Sequence, residues 1–179
     1  KYVEKRILTS EEYILKDRFY DEKISLYEKA AKLSYKDSNK RLGSIYKFNE
    51  ENKFGNNLEW ALYYYKLAFE RENCEECTRY VADIYKEIGD QKQEFIWALK
   101  AANFGYSLWG NRPSIGDYYY NGVGTEVNYN EAFKWYLKDQ ENLKIADMYY
   151  YGVGKKQNYE EAAKYYLATI EQEKKILEQ

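Results

Sequence analysis

The sequence has 179 residues, 28 Lys and Arg against 30 Asp and Glu, a net charge of −2, and no His. A chain this long buries enough surface to fold without a staple, its charge balance argues against a nucleic-acid-binding domain, and the missing His removes the commonest general base and metal ligand. No apolar run approaches the roughly 20 residues of a membrane span, and the single Pro and 45% hydrophobic residues suit long helical runs. Apolar residues at three- and four-residue steps then predict helices in chain order. A short helix is expected near residues 10–18, with Thr9 and Glu12 as a capping box, and a second near 21–34. Four two-helix units follow. Their first helices, A, are expected over about 37–48, 74–88, 111–121 and 141–151, and their second helices, B, over about 57–71, 91–104, 128–139 and 158–177. Leu58, Ala61, Leu62, Tyr65 and Ala68 share one face of such a B helix. Asn57, Asn128 and Asn158 stand where B helices begin and can accept their free N–H groups. The expected organisation is one repeat domain over 1–179, with a half-unit over 1–34 and repeats over about 37–71, 74–104, 107–139 and 141–177.

The repeat is visible when the chain is laid on itself. The run Ile115 to Gly124 (IGDYYYNGVG) matches Ile145 to Gly154 (IADMYYYGVG) at an offset of 30. The same offset carries Asn128–Leu137 onto Asn158–Leu167. Val81-Ala82-Asp83-Ile84-Tyr85 and Leu42-Gly43-Ser44-Ile45-Tyr46 are earlier copies of the first block. Gly43, Ala82, Gly116 and Ala146 thus occupy one position of helix A, where a minimal side chain lets helix B approach. Tyr46, Tyr85, Tyr119 and Tyr149 follow three residues later and fill the space beside that contact.

These residues resemble the Sel-1-like repeat, a relative of the tetratricopeptide repeat. Gly116, Tyr119, Gly122, Gly124, Asn128, Ala132 and Trp135-Tyr136 fall on its pattern. The resemblance covers about residues 20–175 and is strongest over 115–168. It implies an all-α, right-handed superhelical solenoid of helix-turn-helix repeats, in which stacking of neighbours supplies the stability. Three departures stand out. Asp139 and Gln140 replace the small pair that ends a B helix, so a tight or irregular turn is expected there. The first complete unit has the polar stretch 47–56 in place of a Gly-x-Gly loop. Pro113 is expected in the first turn of its A helix, leaving 107–112 as an inserted loop with Trp109. The polar end 172–179 is expected to cap the stack.

Several motifs carry both a chemical and a plainer reading. Gly122-Val123-Gly124 and Gly152-Val153-Gly154 follow helices and lack the third Gly of a dinucleotide fingerprint, so glycines that stop a helix explain them. Cys74-Glu75-Glu76-Cys77 lacks a second metal-binding pair and a thioredoxin-like context. Plain thiols, with Cys77 as a small core residue, are the leading reading; a local disulfide and an adventitious metal are the alternatives. Glu75/Glu76 and Glu160/Glu161 stand at helix starts, where negative charge is favourable, and read as solvated. The 23 Tyr fall mostly at repeat core positions, and base stacking would need an electropositive groove.

No nucleophile elbow, metal motif or phosphate loop is present, so a non-catalytic chain with no cofactor and no bound metal is expected, a hydrolytic enzyme being the opposing class. The resemblance implies a protein–protein interaction scaffold that holds a partner protein or peptide in the concave groove of its A helices. A specialised alternative is a bacterial immunity or adaptor protein that neutralises a toxin or effector enzyme, to which the Lys-, Asn- and Tyr-rich composition lends an AT-rich bacterial colour. The chain begins with Lys1, so a fragment or processed form is expected, cytoplasmic or, with a signal segment removed, periplasmic or secreted. Carried over by position, the groove residues are Ser44, Asp83, Asp117 and Asp147, then Lys47, Lys86, Tyr120 and Tyr150, with Arg79 and Leu143 one turn earlier. Three aspartates at one repeat position would repel one another in a row. Either they hold a basic segment of the partner, or each bonds a neighbouring Lys, Arg or Tyr and clips repeat to repeat. The sequence leaves both open.

Overall fold

The computed structural model describes the backbone of residues 10–48, 57–106 and 113–178, and side chains from Arg18 onward. The Thr9–Glu12 capping box, Trp109 with its loop 107–112, and residues 49–56 of the polar stretch lie outside the described residues. Among those described, the elements are nine helices and no strand: α1 Ser10–Lys32, α2 Ser38–Lys47, α3 Leu58–Glu72, α4 Cys77–Ile88, α5 Gln91–Asn103, α6 Ile115–Asn121, α7 Tyr129–Lys138, α8 Asn142–Tyr151 and α9 Tyr159–Leu177. The fold is an all-α solenoid. The chain divides into two compact units, one running to Ile84 and one from Tyr85.

In the first unit α2 packs against both α1 and α3. Two expected helices over 10–34 are in fact the single α1, because neither Gly nor Pro interrupts Ser10–Lys32. Gly43 of α2 lies against Tyr65 of α3: a Cβ at Gly43 would stand 2.8 Å from the Tyr65 ring, which is fully buried. Tyr46 stacks on Tyr64 with ring centroids 5.5 Å apart. Helix α3 starts on the Asn57 cap, whose Oδ1 accepts the Trp60 N–H at 3.1 Å, and ends at Asn73 in the left-handed region, φ 53°. Helix α4 begins at Cys77 instead of residue 74, because Cys74 and Cys77 close the intervening turn as a disulfide. The plain-thiol reading is therefore corrected. Asn73 reverses the chain and Cys77 donates its N–H to the Cys74 carbonyl at 2.9 Å, which brings the two side chains together.

In the second unit neighbouring helices pack in sequence from α5 to α9. Asn128 and Asn158 cap α7 and α9 as expected, and Asp90 does the same for α5. Gly122 and Gly152 end α6 and α8 in the left-handed region, φ 69° and 71°. The second glycine of each loop has a different task. A Cβ at Gly124 would collide with the Gln91 carbonyl at the start of α5, and one at Gly154 with Cβ of Tyr129 at the start of α7. These glycines let one hairpin settle on the preceding B helix. Gln140 takes φ 56° in the tight turn expected after α7, and Glu141 donates its N–H to the Tyr136 carbonyl at 2.9 Å. Pro113 precedes the Ser114 cap of α6 and so lies outside the helix it was expected to open. The core joins Ala132, Phe133 and Tyr136 of α7 with Ile145 and Met148 of α8. The last helix is less polar at its end than expected for a cap, since Ile176 and Leu177 are exposed.

Candidate partner-binding surface

In the first unit Ser44 and Lys47 lie on α2, and Arg79 and Asp83 on α4. The Ser44 hydroxyl stands 3.0 Å from the Tyr65 hydroxyl, and the Tyr80 ring stacks on Tyr65 at 4.8 Å. Lys47 forms an ion pair with Asp83 and is only 5% exposed. Its charge is thus committed to the neighbouring A helix. Arg79 pairs with Glu76 and lies 5.4 Å from the Tyr80 ring centroid. Glu76 also receives the Lys40 ammonium at 2.5 Å and the Tyr80 hydroxyl at 3.1 Å. The bond from Lys40, stronger than the opposing cost of burial, holds its carboxyl below the ordinary glutamate value. The expectation that Glu76 is merely solvated is corrected: it ties α2 to α4.

The second unit repeats this logic around Asp117. Ser114 and Asp117 form a reciprocal capping box, the Ser114 N–H donating to Oδ2 of Asp117 at 3.0 Å. The Tyr136 hydroxyl of α7 donates to Oδ1 at 2.9 Å, and the Lys144 ammonium of α8 donates to both oxygens at 2.7 Å. Burial alone would push the Asp117 carboxyl up, but the bonds from Lys144, Tyr136 and Ser114 together hold it below the ordinary aspartate value. Lys144 is likewise held above the usual lysine value: burial works against its charge, and Asp117 and Glu141, the latter at 2.5 Å, outweigh it. Its ammonium lies 5.1 Å from the Tyr136 ring centroid. Asp147 accepts the Tyr166 hydroxyl of α9 at 2.6 Å. All three aspartates therefore bond neighbouring helices: Asp83 and Asp117 each pair with a lysine of an adjacent A helix, and Asp147 bonds Tyr166 within its own hairpin.

Asp117, Tyr120 and Asp147 also converge on a recess of about 240 Å³ between α6 and α8, completed by Tyr136, Lys144 and Met148. Tyr120 meets Tyr129 edge-on at 5.2 Å. Leu143 and Tyr150 lie outside the recess, 53% and 44% exposed; the Tyr150 ring leans on Tyr151 and Tyr159. Lys86, at the end of α4, is exposed. Sequence reasoning passed over Tyr136, Tyr166 and Lys144. The signal for the two tyrosines was there: a Tyr stands 20 residues after Gly116 and after Ala146. Among the described residues no three or more Cys, Asp or Glu converge to hold a metal ion, and no helix is long and apolar enough to cross a membrane.

The Sel1 repeat model matches residues 24–35, 41–73, 114–138 and 142–173. It skips the unit that has Ala102 where the later units have Tyr136 and Tyr166. Two solved structures are similar in fold. One is a protective antigen of uropathogenic Escherichia coli with an SLR fold, at TM-score 0.53 and 21% identity, covering 79% of this chain and 32% of the antigen. The other is a Sel1 repeat protein from Oxalobacter formigenes, at TM-score 0.53 and 22% identity, covering 87% of this chain and 65% of that protein. The chain thus spans less than two thirds of either relative. No curated protein matches the sequence. Sel1 repeat proteins generally mediate protein–protein interactions, and the fold is typically a non-catalytic scaffold. With the matched segments covering more than half of its residues, the chain belongs to the Sel1 repeat family.

Proposed function

We propose that this chain is a non-catalytic interaction scaffold that holds a segment of a partner protein on its A helices, with the recess between α6 and α8 as the central contact. The supporting observation is the convergence of Asp117, Tyr120 and Asp147 on one concavity, next to the exposed Leu143 and Tyr150. Aromatic rings offer contact area at low entropic cost, and the carboxylates set its charge preference. The titratable groups support a binding role. Asp117 is held ionised and Lys144 protonated by each other, so neither is poised near neutrality as a general acid or base. The test is to isolate the native partner on the immobilised full chain and compare its affinity for the wild type and for Tyr120→Ala and Leu143→Ala. Each variant should weaken binding about tenfold; Leu143→Ala, at an exposed position, should leave the melting temperature nearly unchanged, and Tyr120→Ala, whose ring also packs on the core, should lower it while keeping the helical circular dichroism spectrum. Equal affinity in both variants would place the contact elsewhere.

A further inference from the structure

Cys74 and Cys77 bracket the turn that leads into α4. Successive backbone bonds build that turn: the Cys77 N–H donates to the Cys74 carbonyl at 2.9 Å, Thr78 to Glu75 at 3.1 Å and Arg79 to Glu76 at 3.2 Å. The two cysteines differ in their surroundings. Cys77, the first residue of α4, is fully buried, and Cys74 is half-buried. Glu76 lies inside the loop that the disulfide closes. Its carboxylate accepts the Lys40 ammonium of α2, the Arg79 guanidinium and the Tyr80 hydroxyl. The covalent bond and the link from α4 to α2 therefore share one short piece of backbone.

A loop closed over a separation of three residues holds Glu76 in place; once the S–S bond is broken, only hydrogen bonds retain the turn. We infer that the Cys74–Cys77 pair is a redox-sensitive switch. Its oxidised state holds Glu76 against Lys40, and its reduction by a low-molecular-weight thiol frees the start of α4 from α2. Exchange begins at Cys74, the more open of the two residues. The reductant's thiolate attacks Sγ of Cys74, the S–S bond breaks, and Cys77 leaves as a thiolate that takes up a proton. A second thiol displaces Cys74 from the mixed disulfide, and Cys74 is protonated in turn. Two electrons and two protons pass to the chain, and the reductant leaves as its own disulfide.

Coupling between two sites works in both directions. Oxidation places Glu76 for Lys40, so the Lys40–Glu76 bond in turn favours the oxidised pair. That bond is the foremost cause holding Glu76 below the ordinary glutamate value and Lys40 above the ordinary lysine value. The two side chains are 27% and 31% exposed, so solvent screens the pair only in part. A plain staple behaves otherwise: it ties residues 74 and 77, and its redox equilibrium is blind to a lysine on another helix. Farther along α4, Val81, Ala82 and Ile84 are buried and Asp83 pairs with Lys47. Reduction therefore loosens the first turn of α4 without unfolding the unit. The switch lies in the first unit and does not depend on the recess proposed above.

The test equilibrates the full chain in buffers of reduced and oxidised glutathione without denaturant, then counts the two states by thiol alkylation and mass spectrometry. The wild type should interconvert reversibly. Lys40→Ala and Glu76→Gln should each shift the equilibrium toward the dithiol by about fivefold, the lower end of coupling between linked sites. Lys164→Ala, which removes the exposed pair with Glu161 in the other unit, should leave it unchanged. In the reduced wild type the amides of residues 77–79 should exchange with deuterium about tenfold faster than in the oxidised chain, with those of 81–84 little changed. One redox equilibrium shared by wild type, Lys40→Ala and Glu76→Gln would overturn the inference, as would equal exchange at 77–79 in both states. So would reduction that needs denaturant, since the disulfide would then be a structural staple, and so would a pair that stays as two thiols in oxidised glutathione.

Discussion

Gly116→Ala tests whether the small position of helix A is set by contact with Tyr136. Alanine is the better helix former by about 1 kcal/mol, so propensity alone predicts a gain. Its Cβ, however, would overlap the Tyr136 ring, and that ring cannot yield freely. It is 2% exposed, bonds Asp117 through its hydroxyl and lies under Lys144. Overpacking costs about 1–3 kcal/mol, and displacing the hydroxyl from a charged acceptor costs about 1.5–3 kcal/mol where the bond is lost outright. With partial relaxation the net loss should be about 2 kcal/mol, a fall in Tm of about 4–8 °C for a chain of this size. Ala146 is the natural control: the same repeat position there carries a methyl and is fully buried. Urea and thermal unfolding of Gly116→Ala, alone and with Lys144→Ala, provide the readout. The combined variant should lose less than the sum of the two single losses, because the ring is then free to move. A stabilised Gly116→Ala would refute the close-approach argument.

Reducing the Cys74–Cys77 disulfide should destabilise the unit that contains it by up to about 2 kcal/mol, the entropy of closing so short a loop; an unchanged denaturation midpoint with and without a thiol reductant would contradict this. The Asp117 carboxyl is held below its unfolded value near 4, so its contribution is complete above that pH and lost as pH falls through the lower folded value. Melting temperatures should therefore drop as pH falls below about 4 in the wild type, and less steeply in Asp117→Asn. Gln140 takes a left-handed conformation that costs a residue with a side chain roughly 1 kcal/mol. Gln140→Gly should stabilise by a few tenths of a kcal/mol after the added freedom of the unfolded chain is subtracted, and a lower midpoint would show that the side chain has a role of its own.

Much of the fold is legible from local chemistry. Asn57, Asn128 and Asn158 cap their helices because one side-chain oxygen and a free N–H two or three residues on are enough. Gly122 and Gly152 end theirs because only the backbone angle of one residue is needed. The 30-residue echo of Ile115–Gly124 in Ile145–Gly154 reveals the stacked units, since a hairpin with one apolar face must bury it on a neighbour. The Cys74–Cys77 bond was one alternative among three, because pairing depends on the path of the turn at Asn73, which composition does not reveal.

What tertiary structure alone decided is the fate of the charges. Asp83, Asp117 and Asp147 look identical along the chain, and repetition suggested a single role. Their partners come from 36, 27 and 19 residues away: Lys47, Lys144 and Tyr166. A carboxylate's meaning depends on which donor the fold brings within about 3 Å, because that contact fixes its ionisation and its remaining capacity to attract a cation. Helix boundaries arise from neighbours in sequence and can be read there. The bond between Asp147 and Tyr166 arises from neighbours in space and becomes visible only when α8 and α9 are packed together.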